Sequence, residues 1–282
     1  MRRILVLGAK GMLGHDLLKA LGETYEVVGL DIEDLDITRQ EATRNTIKEI
    51  SPDVVINAAG YTDVDGCEKK MRKAFAVNGK GAKNVAQGCR NNGARLIYIS
   101  TDYIFDGEKR SRYSEYDLPN PQNIYGESKR LGEWYIERFL DDYLIIRTQW
   151  LYGRYGRNFV ETILALADER EKIEVVNDQV GSPTYTADLS KTISALISKD
   201  LRGVFHVCNS GSCSWYEFAL EILKLAGIEG VEIIPISSGV LNRPAKRPLY
   251  SVLSCKKLRK EAGIKMRPWR AALRDYFNHR RE

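Results

Sequence analysis

The chain has 282 residues, 43 % hydrophobic and 29 % charged, with a formal net charge of +5. That length and composition exclude a small stapled scaffold, a disordered chain and a fixed-period repeat, and allow one large α/β unit or a core domain with a smaller lobe. The modest basic excess suits an anionic small molecule and excludes a nucleic-acid partner. The first 150 residues then alternate short apolar runs with longer amphipathic ones, the pattern of a parallel sheet flanked by helices. Strands are predicted at 3–7, 27–31, 53–59, 95–100 and 143–147, with helices at 12–21, near 68–91 and at 125–139. Past Trp150 the spacing loosens: helices at 158–167, 188–198 and 215–226, strands at 173–176, 204–208 and 231–235, and a Pro- and Arg-rich loop at 242–248. The basic end, 278–282, reads as a solvated tail.

These elements predict a Rossmann-type doubly wound parallel sheet with a smaller, discontinuous α/β substrate-binding lobe. The dinucleotide-binding domain covers 1–151, with returning elements at about 173–205, and the lobe takes about 152–172 and 206–282. Five scattered cysteines, with no C-x-x-C and no nearby histidine pair, point to neither a disulfide framework nor a zinc site. The apolar run at 4–7 is too short for a signal-peptide core or a spanning helix, so a cytoplasmic location with no membrane partner is expected.

Residues suited to chemistry fall just past the carboxyl ends of the predicted strands, where open parallel sheets bind ligands. Gly8-x-x-Gly11-x-x-Gly14 follows a strand and opens a helix. Its glycines allow a tight turn and close approach of a pyrophosphate, whose charge the helix N-terminus favours. Asp31 ends the second strand, where a carboxylate accepts hydrogen bonds from an adenosine ribose and repels a 2′-phosphate, which favours NADH over NADPH. Asp36 and Ile37 are placed at the adenine edge. Tyr125-x-x-x-Lys129 puts a phenol and an ammonium one helical turn apart on one face. A tyrosine of ordinary pKa near 10 needs roughly 4 kcal/mol of differential stabilisation to work as a proton-transfer group near neutrality. Thr101, at the end of the strand before it, places a hydroxyl where it can hydrogen-bond a substrate carbonyl beside the phenol.

The glycine motif, Ser100-Thr101-Asp102 and Tyr125-x-x-x-Lys129, in that order, resemble the short-chain dehydrogenase/reductase superfamily in its extended, nucleotide-sugar-modifying branch. Within it the runs 57–62 (Asn-Ala-Ala-Gly-Tyr-Thr), 100–107 (Ser-Thr-Asp-Tyr-Ile-Phe-Asp-Gly), 147–153 (Arg-Thr-Gln-Trp-Leu-Tyr-Gly) and 178–184 (Asp-Gln-Val-Gly-Ser-Pro-Thr) resemble the dTDP-4-dehydrorhamnose reductases, as does 246–253 near the end of the chain. The resemblance implies an NADH- or NADPH-dependent oxidoreductase that reduces the C4 ketone of dTDP-6-deoxy-L-lyxo-4-hexulose, with a proton from Tyr125. It further implies that Gly11, Met12, Leu13, Gly60, Tyr61 and Thr62 line the cofactor, that Lys129 contacts it, and that Thr101, Asp102 and Trp150 hold the sugar. Arg243, Lys246 and Arg247 lie in a Pro-bounded loop where an arginine fork, Arg247 above all, suits a diphosphate.

Related 4,6-dehydratases carry Glu after the strand-end Asp, whereas here Tyr103 follows Asp102, which disfavours dehydration. An epimerase, a reductase of another sugar, and a regulatory cofactor-binding subunit like the non-catalytic partner of methionine adenosyltransferase remain alternatives. Asp16 and Asp188 stand where some relatives place carboxylates for an intersubunit magnesium ion; surface charge is the preferred reading and no metal is assigned. His15 and His206 are read as structural. The assembly, a homodimer included, is left open.

Overall fold

The structure, a computed structural model, describes residues 1–280. The first half runs β1 (Arg3–Leu7), α1 (Met12–Gly22), β2 (Glu26–Leu30), α2 (Gln40–Ile50), β3 (Val54–Asn57), α3 (Val64–Lys69), α4 (Met71–Ala74), α5 (Ala82–Asn92), β4 (Arg95–Thr101), α6 (Ile124–Phe139) and β5 (Tyr143–Thr148). The second half adds β6 (Leu151–Tyr152), α7 (Phe159–Glu169), β7 (Lys172–Val176), β8 (Val180–Gly181), β9 (Thr184–Tyr185), α8 (Thr186–Ser198), β10 (Gly203–His206), β11 (Cys213–Ser214), α9 (Trp215–Ala226), β12 (Glu232–Ile236) and α10 (Trp269–His279).

Six strands form one parallel sheet in the order β10-β5-β4-β3-β1-β2. β3 and β4 are buried along their whole length, because a parallel sheet covered by helices on both faces needs apolar side chains on both. Alternate residues divide between two cores. Ile4, Val6, Ile56 and Ile97 face α1 and α8, while Leu5, Leu7, Val55 and Leu96 face α2, α5 and α6. The order reverses at β1, which pairs β2 on one side and β3 on the other. A crevice therefore opens between the ends of β1 and β3. A third core gathers Tyr152, Val160, Phe218 and Trp269 from α7, α9, α10 and β6.

The structure departs from the sequence reading in several places. The predicted helix over 68–91 is broken into α3, α4, a π-helical stretch Phe75–Gly81 and α5. The wider turn is tied down by Asn78, whose carbonyl accepts from the Tyr98 hydroxyl at 3.1 Å and whose side chain bonds Tyr61 and Ser128. Within the stretch 173–205, β10 pairs with β5, but β7 pairs with β12 across the second lobe. Leu258, Ala262 and Met266 pack into the first core although 206–282 was assigned to the lobe. Their apolar faces meet α1 and α8 only after the chain has crossed back. The basic end is in part helical: α10 reaches His279, and Arg280 binds Glu161 through two hydrogen bonds of 2.8 and 2.7 Å. The remainder of that end, 281–282, lies outside the described residues. Among the described residues no helix is long and apolar enough to cross a membrane.

Candidate active site

The β1–α1 turn shows why the sequence needs glycine. Gly8 adopts φ +81°, and a Cβ there would sit 2.7 Å from Ala59 N; at Gly14 it would fall 2.2 Å from Gly8 O. Only glycine lets the turn close and α1 pack against it. The cleft that results has a volume of about 360 Å³ and is lined by Gly8, Gly11, Asp31, Asp36, Ile37 and Gly60, among others. Asp31 is held in place by the backbone N–H groups of Lys10 and Ile32, each donating at 2.8 Å. Asp36 accepts from the N–H and hydroxyl of Thr38 at 2.9 and 2.7 Å, which keeps its carboxyl below the usual range. Met12, Leu13 and Gly14 do not line this cleft: Leu13 is in the first core, and Met12 faces Gly153. Tyr61 and Thr62 lie beyond Gly60. Tyr61 is anchored through its N–H to Asn78 Oδ1 at 2.8 Å, and Thr62 is exposed. A glycine turn open to the cleft, a seated carboxylate and an apolar wall at Ile37 match what a dinucleotide requires, so the residues present fit the cofactor.

Thr101 ends β4. Its Oγ1 donates to Asp102 Oδ1 at 3.0 Å and accepts from Tyr103 N at 3.2 Å. Asp102 is buried; burial pushes its carboxyl up to about 6 against the neighbouring Ser251 and Thr101 hydroxyls. Its Oδ2 has no hydrogen-bond partner among the described residues, an acceptor suited to a sugar hydroxyl.

Tyr125 and Lys129 sit in the first two turns of α6, which Asn123 caps by accepting from Gly126 N at 2.8 Å. The sequence reading asks for a phenol stabilised toward neutrality, and the structure does the opposite: burial pushes the Tyr125 phenol up, opposed by the adjacent Thr101 hydroxyl. The Tyr103 ring meets it edge to face, centroids 5.5 Å apart. Lys129 is 4 % exposed. Its Nζ donates to the Ile99 carbonyl at 2.5 Å and lies 4.0 Å from the centre of the Tyr98 ring. Burial pushes its ammonium down to about 7, opposed by Glu133. Thr101, Asp102, Tyr125 and Lys129 are thus brought together where β4 meets α6. The phenol is neutral, and one helical turn further along α6 burial brings the Lys129 ammonium down to about 7.

Trp150 follows β5 with φ +47°, strained for a bulky residue. It is held by stacking on Trp215, centroids 3.5 Å apart and planes 8° apart, and by contact with Gly181. Trp215 itself lines a second cleft of about 640 Å³ between the halves, with Tyr103, Phe159, Arg243, Lys246 and Arg247. The sequence reading takes Trp215 only as the first residue of a helix; its capping box, Ser214 with Glu217, marks a helix start and says nothing of a ligand. Arg247 donates to both oxygens of Asp65 on α3, at 3.0 and 2.8 Å, and Arg243 reaches the same carboxylate at 3.4 Å. Lys246 donates to Gln122 at 3.2 Å.

The surface-charge reading of Asp16 and Asp188 is corrected. Asp16 is buried and accepts from the Thr186 hydroxyl. Asp188 takes both arms of Arg267 at 2.7 Å and Asn209 at 2.8 Å. Each ties one element of the fold to another, and among the described residues no group of three or more His, Cys, Asp or Glu is placed to hold a metal ion. His15 stacks on Tyr155, centroids 4.2 Å apart, while burial holds the His206 imidazole neutral.

Comparison with known proteins agrees along the whole chain. The RmlD substrate binding domain family matches residues 1–282. The spore coat polysaccharide biosynthesis protein SpsK of Bacillus subtilis (strain 168) is 44 % identical over 281 residues, covering 99 % of this chain and 98 % of the relative. Among solved structures, a dTDP-4-dehydrorhamnose reductase from Clostridium acetobutylicum ATCC 824 superposes with a TM-score of 0.97 at 42 % identity, covering 99 % of this chain and 100 % of the other. The dTDP-4-dehydrorhamnose reductase of Bacillus anthracis str. Ames, solved in complex with NADP, gives 0.96 at 43 % identity, covering 98 % of this chain and 99 % of the other. The chain, with its glycine-turn cleft and its Thr101–Tyr125–Lys129 cluster, belongs to the RmlD family, which these dTDP-4-dehydrorhamnose reductases represent.

Proposed function

We infer that this chain reduces the C4 ketone of dTDP-6-deoxy-L-lyxo-4-hexulose to dTDP-L-rhamnose at the expense of NADH or NADPH, with Tyr125 as the proton donor. The observation that supports the reading is the gathering of Thr101, Asp102, Tyr125 and Lys129 where β4 meets α6, within a chain whose full-length relatives include reductases of dTDP-linked keto sugars.

Gly8, Gly11, Asp31, Ile37 and Gly60 would hold the dinucleotide, which supplies the hydride when bound. Thr101 and Asp102 orient the sugar, Thr101 through its hydroxyl and Asp102 through its unpartnered Oδ2. As C4 gains the hydride, the electron pair of the carbonyl moves onto oxygen, and Tyr125 gives that oxygen its phenolic proton. A phenol kept neutral by burial is in the right state to donate, and a positioned general acid is worth about 10²- to 10⁴-fold in rate. The phenolate left on Tyr125 is reprotonated by Lys129, an amine that exchanges its own proton with solvent near pH 7. The cleft between the halves takes the nucleotide: Trp215 and Phe159 offer aromatic faces to a base, and Arg243, Lys246 and Arg247 offer cations to a diphosphate.

The experiment is a substrate panel. Purified protein with the dTDP-4-keto-6-deoxy sugar should oxidise NADH or NADPH stoichiometrically, and NMR of the product should show the rhamno configuration at C4. Binding of cofactor without any oxidation on that substrate would reject the reading.

A further inference from the structure

Tyr125, Lys129 and Glu133 follow one another at intervals of four along α6, on one face of the helix. Glu133 is fully buried. Its carboxylate accepts from Ser100 Oγ at 2.6 Å, from Arg147 Nε and Nη2 at 3.0 and 2.9 Å, and from Arg130 Nη1 at 3.2 Å. Ser100 and Arg147 are register partners on β4 and β5, each one residue before its strand ends. One carboxylate thus fastens α6 to the two strand ends that carry Thr101 and lead to Trp150. Lys129 lies next along the same face and has no carboxylate bonded to it; its hydrogen bond goes to the neutral Ile99 carbonyl, and its other close neighbour is the neutral Tyr98 ring.

The charged and titratable groups around Lys129 are few. Tyr125, Arg130 and Glu133 share its helix, Tyr98 faces it from β4, and Arg147 stands behind Glu133 on β5. Burial works against the Glu133 carboxylate, but Arg147, Ser100 and Arg130 hold its acid below the usual range, so it is a permanent anion. Its field raises Lys129's affinity for a proton, against the burial that lowers it. Arg147 supplies two of the four hydrogen bonds to that carboxylate, beside one each from Ser100 and Arg130, and its charge opposes the same field.

We propose that Glu133 is a positioning residue for the Tyr125–Lys129 pair: it clamps β4 and β5 to α6, and its division between Arg147 and Lys129 sets how readily the lysine carries a proton. This rests on the reading of Tyr125 as proton donor and Lys129 as its relay. The two halves of the Glu133–Arg147 pair then have opposite effects. Removing the anion leaves the Arg147 and Arg130 cations near Lys129 with no carboxylate to offset them, so it loses its proton at lower pH. Removing Arg147 leaves Glu133 to Lys129, which then holds its proton to higher pH.

The test compares wild type, Glu133→Gln, Arg147→Met and the double variant. In each, Lys129 is titrated by NMR of ¹³Cε-labelled lysine, with Lys129→Met to assign the signal, and the alkaline limb of the kcat profile is followed. The expected result is a limb and a lysine titration that move down by at least one pH unit in Glu133→Gln and up in Arg147→Met, with the double variant between them and Glu133→Asp close to wild type. A purely structural role would lower activity in both single variants with the titration of Lys129 unmoved, and that result would overturn the proposal. If Glu133→Gln does not fold, because Arg147 is left buried without its partner, the Arg147→Met and double variants decide alone: the limb and the lysine titration must move up in the first and return in the second. If wild type turns over no dTDP-linked keto sugar, the reductase reading fails, while the NMR titrations still decide the electrostatic role of Glu133.

Discussion

The Arg247 guanidinium grips the Asp65 carboxylate with two hydrogen bonds, joining residues 182 positions apart and drawing the 242–248 loop onto α3 at the rim of the cleft that Trp215 lines. The fork that the sequence matches to a diphosphate is satisfied within the chain by an acid of similar bite. A diphosphate entering this cleft would compete with Asp65 for the same donors.

Arg247→Lys keeps the charge and loses the fork. Its KM for the sugar nucleotide should rise about tenfold with kcat within about twofold of wild type, since binding in ground and transition states is lost together. Steady-state kinetics over a range of sugar nucleotide check this; a fall in kcat at unchanged KM would contradict the assignment.

Asp102 is held in a state that costs stability. Its folded-state pKa of about 6 lies above the ordinary carboxylate value because of burial, so the folded protein binds the proton more tightly than the unfolded chain. Stability tied to this group is present at low pH and is lost as pH rises through 6. Asp102→Asn should therefore raise the melting temperature above pH 6, by up to about 3 kcal/mol in free energy, and the gain should fade toward pH 4. Turnover should fall in the same variant. Thermal melts across pH 4 to 8 measure the first effect.

Lys129 has the opposite linkage. Its folded-state value of about 7 lies below that of an exposed lysine, so stability tied to it is present above the unfolded value and is lost as pH falls through 7. Lys129→Met should melt about 2–4 °C higher than wild type at pH 6 to 7 for each kcal/mol recovered, with the difference shrinking toward pH 10. It should also be nearly inactive. A variant that is less stable than wild type at pH 6 would contradict the geometry.

Asp31 is seated by two backbone donors at the edge of the glycine-turn cleft. Removing the carboxylate in Asp31→Ala should raise KM for NADH about tenfold, the worth of a charged hydrogen bond, and leave KM for NADPH equal or lower. Parallel titrations with the two cofactors read the ratio directly.

The parts legible in the sequence are those whose geometry is local. Gly8 to Gly14 announces its turn because the positive φ of Gly8 and the packing of Gly14 on Gly8 are set within seven residues, although Gly8 also meets Ala59. Tyr125 and Lys129 announce their common face because a helix fixes it. What stayed hidden depends on chain brought in from far away. Nothing near Trp215 shows that it stacks on Trp150, and nothing near Asp65 shows that it meets Arg247. Asn78 ties the Tyr61 turn to Ser128 from a π-helical stretch that apolar periodicity reads as ordinary helix. Glu133 looks like one more surface acid on an amphipathic helix until Arg147 and Ser100 close over it. β7 leaves the first sheet because its partner, β12, lies more than fifty residues downstream.

The central claim is that Tyr125 delivers the proton to the oxygen at C4. The most direct measurement is the kcat of Tyr125→Phe on the dTDP-4-keto-6-deoxy sugar, with cofactor affinity measured on the same preparation. Loss of about 10²- to 10⁴-fold in kcat, with cofactor affinity unchanged, is the expected result; turnover near that of wild type would contradict the account.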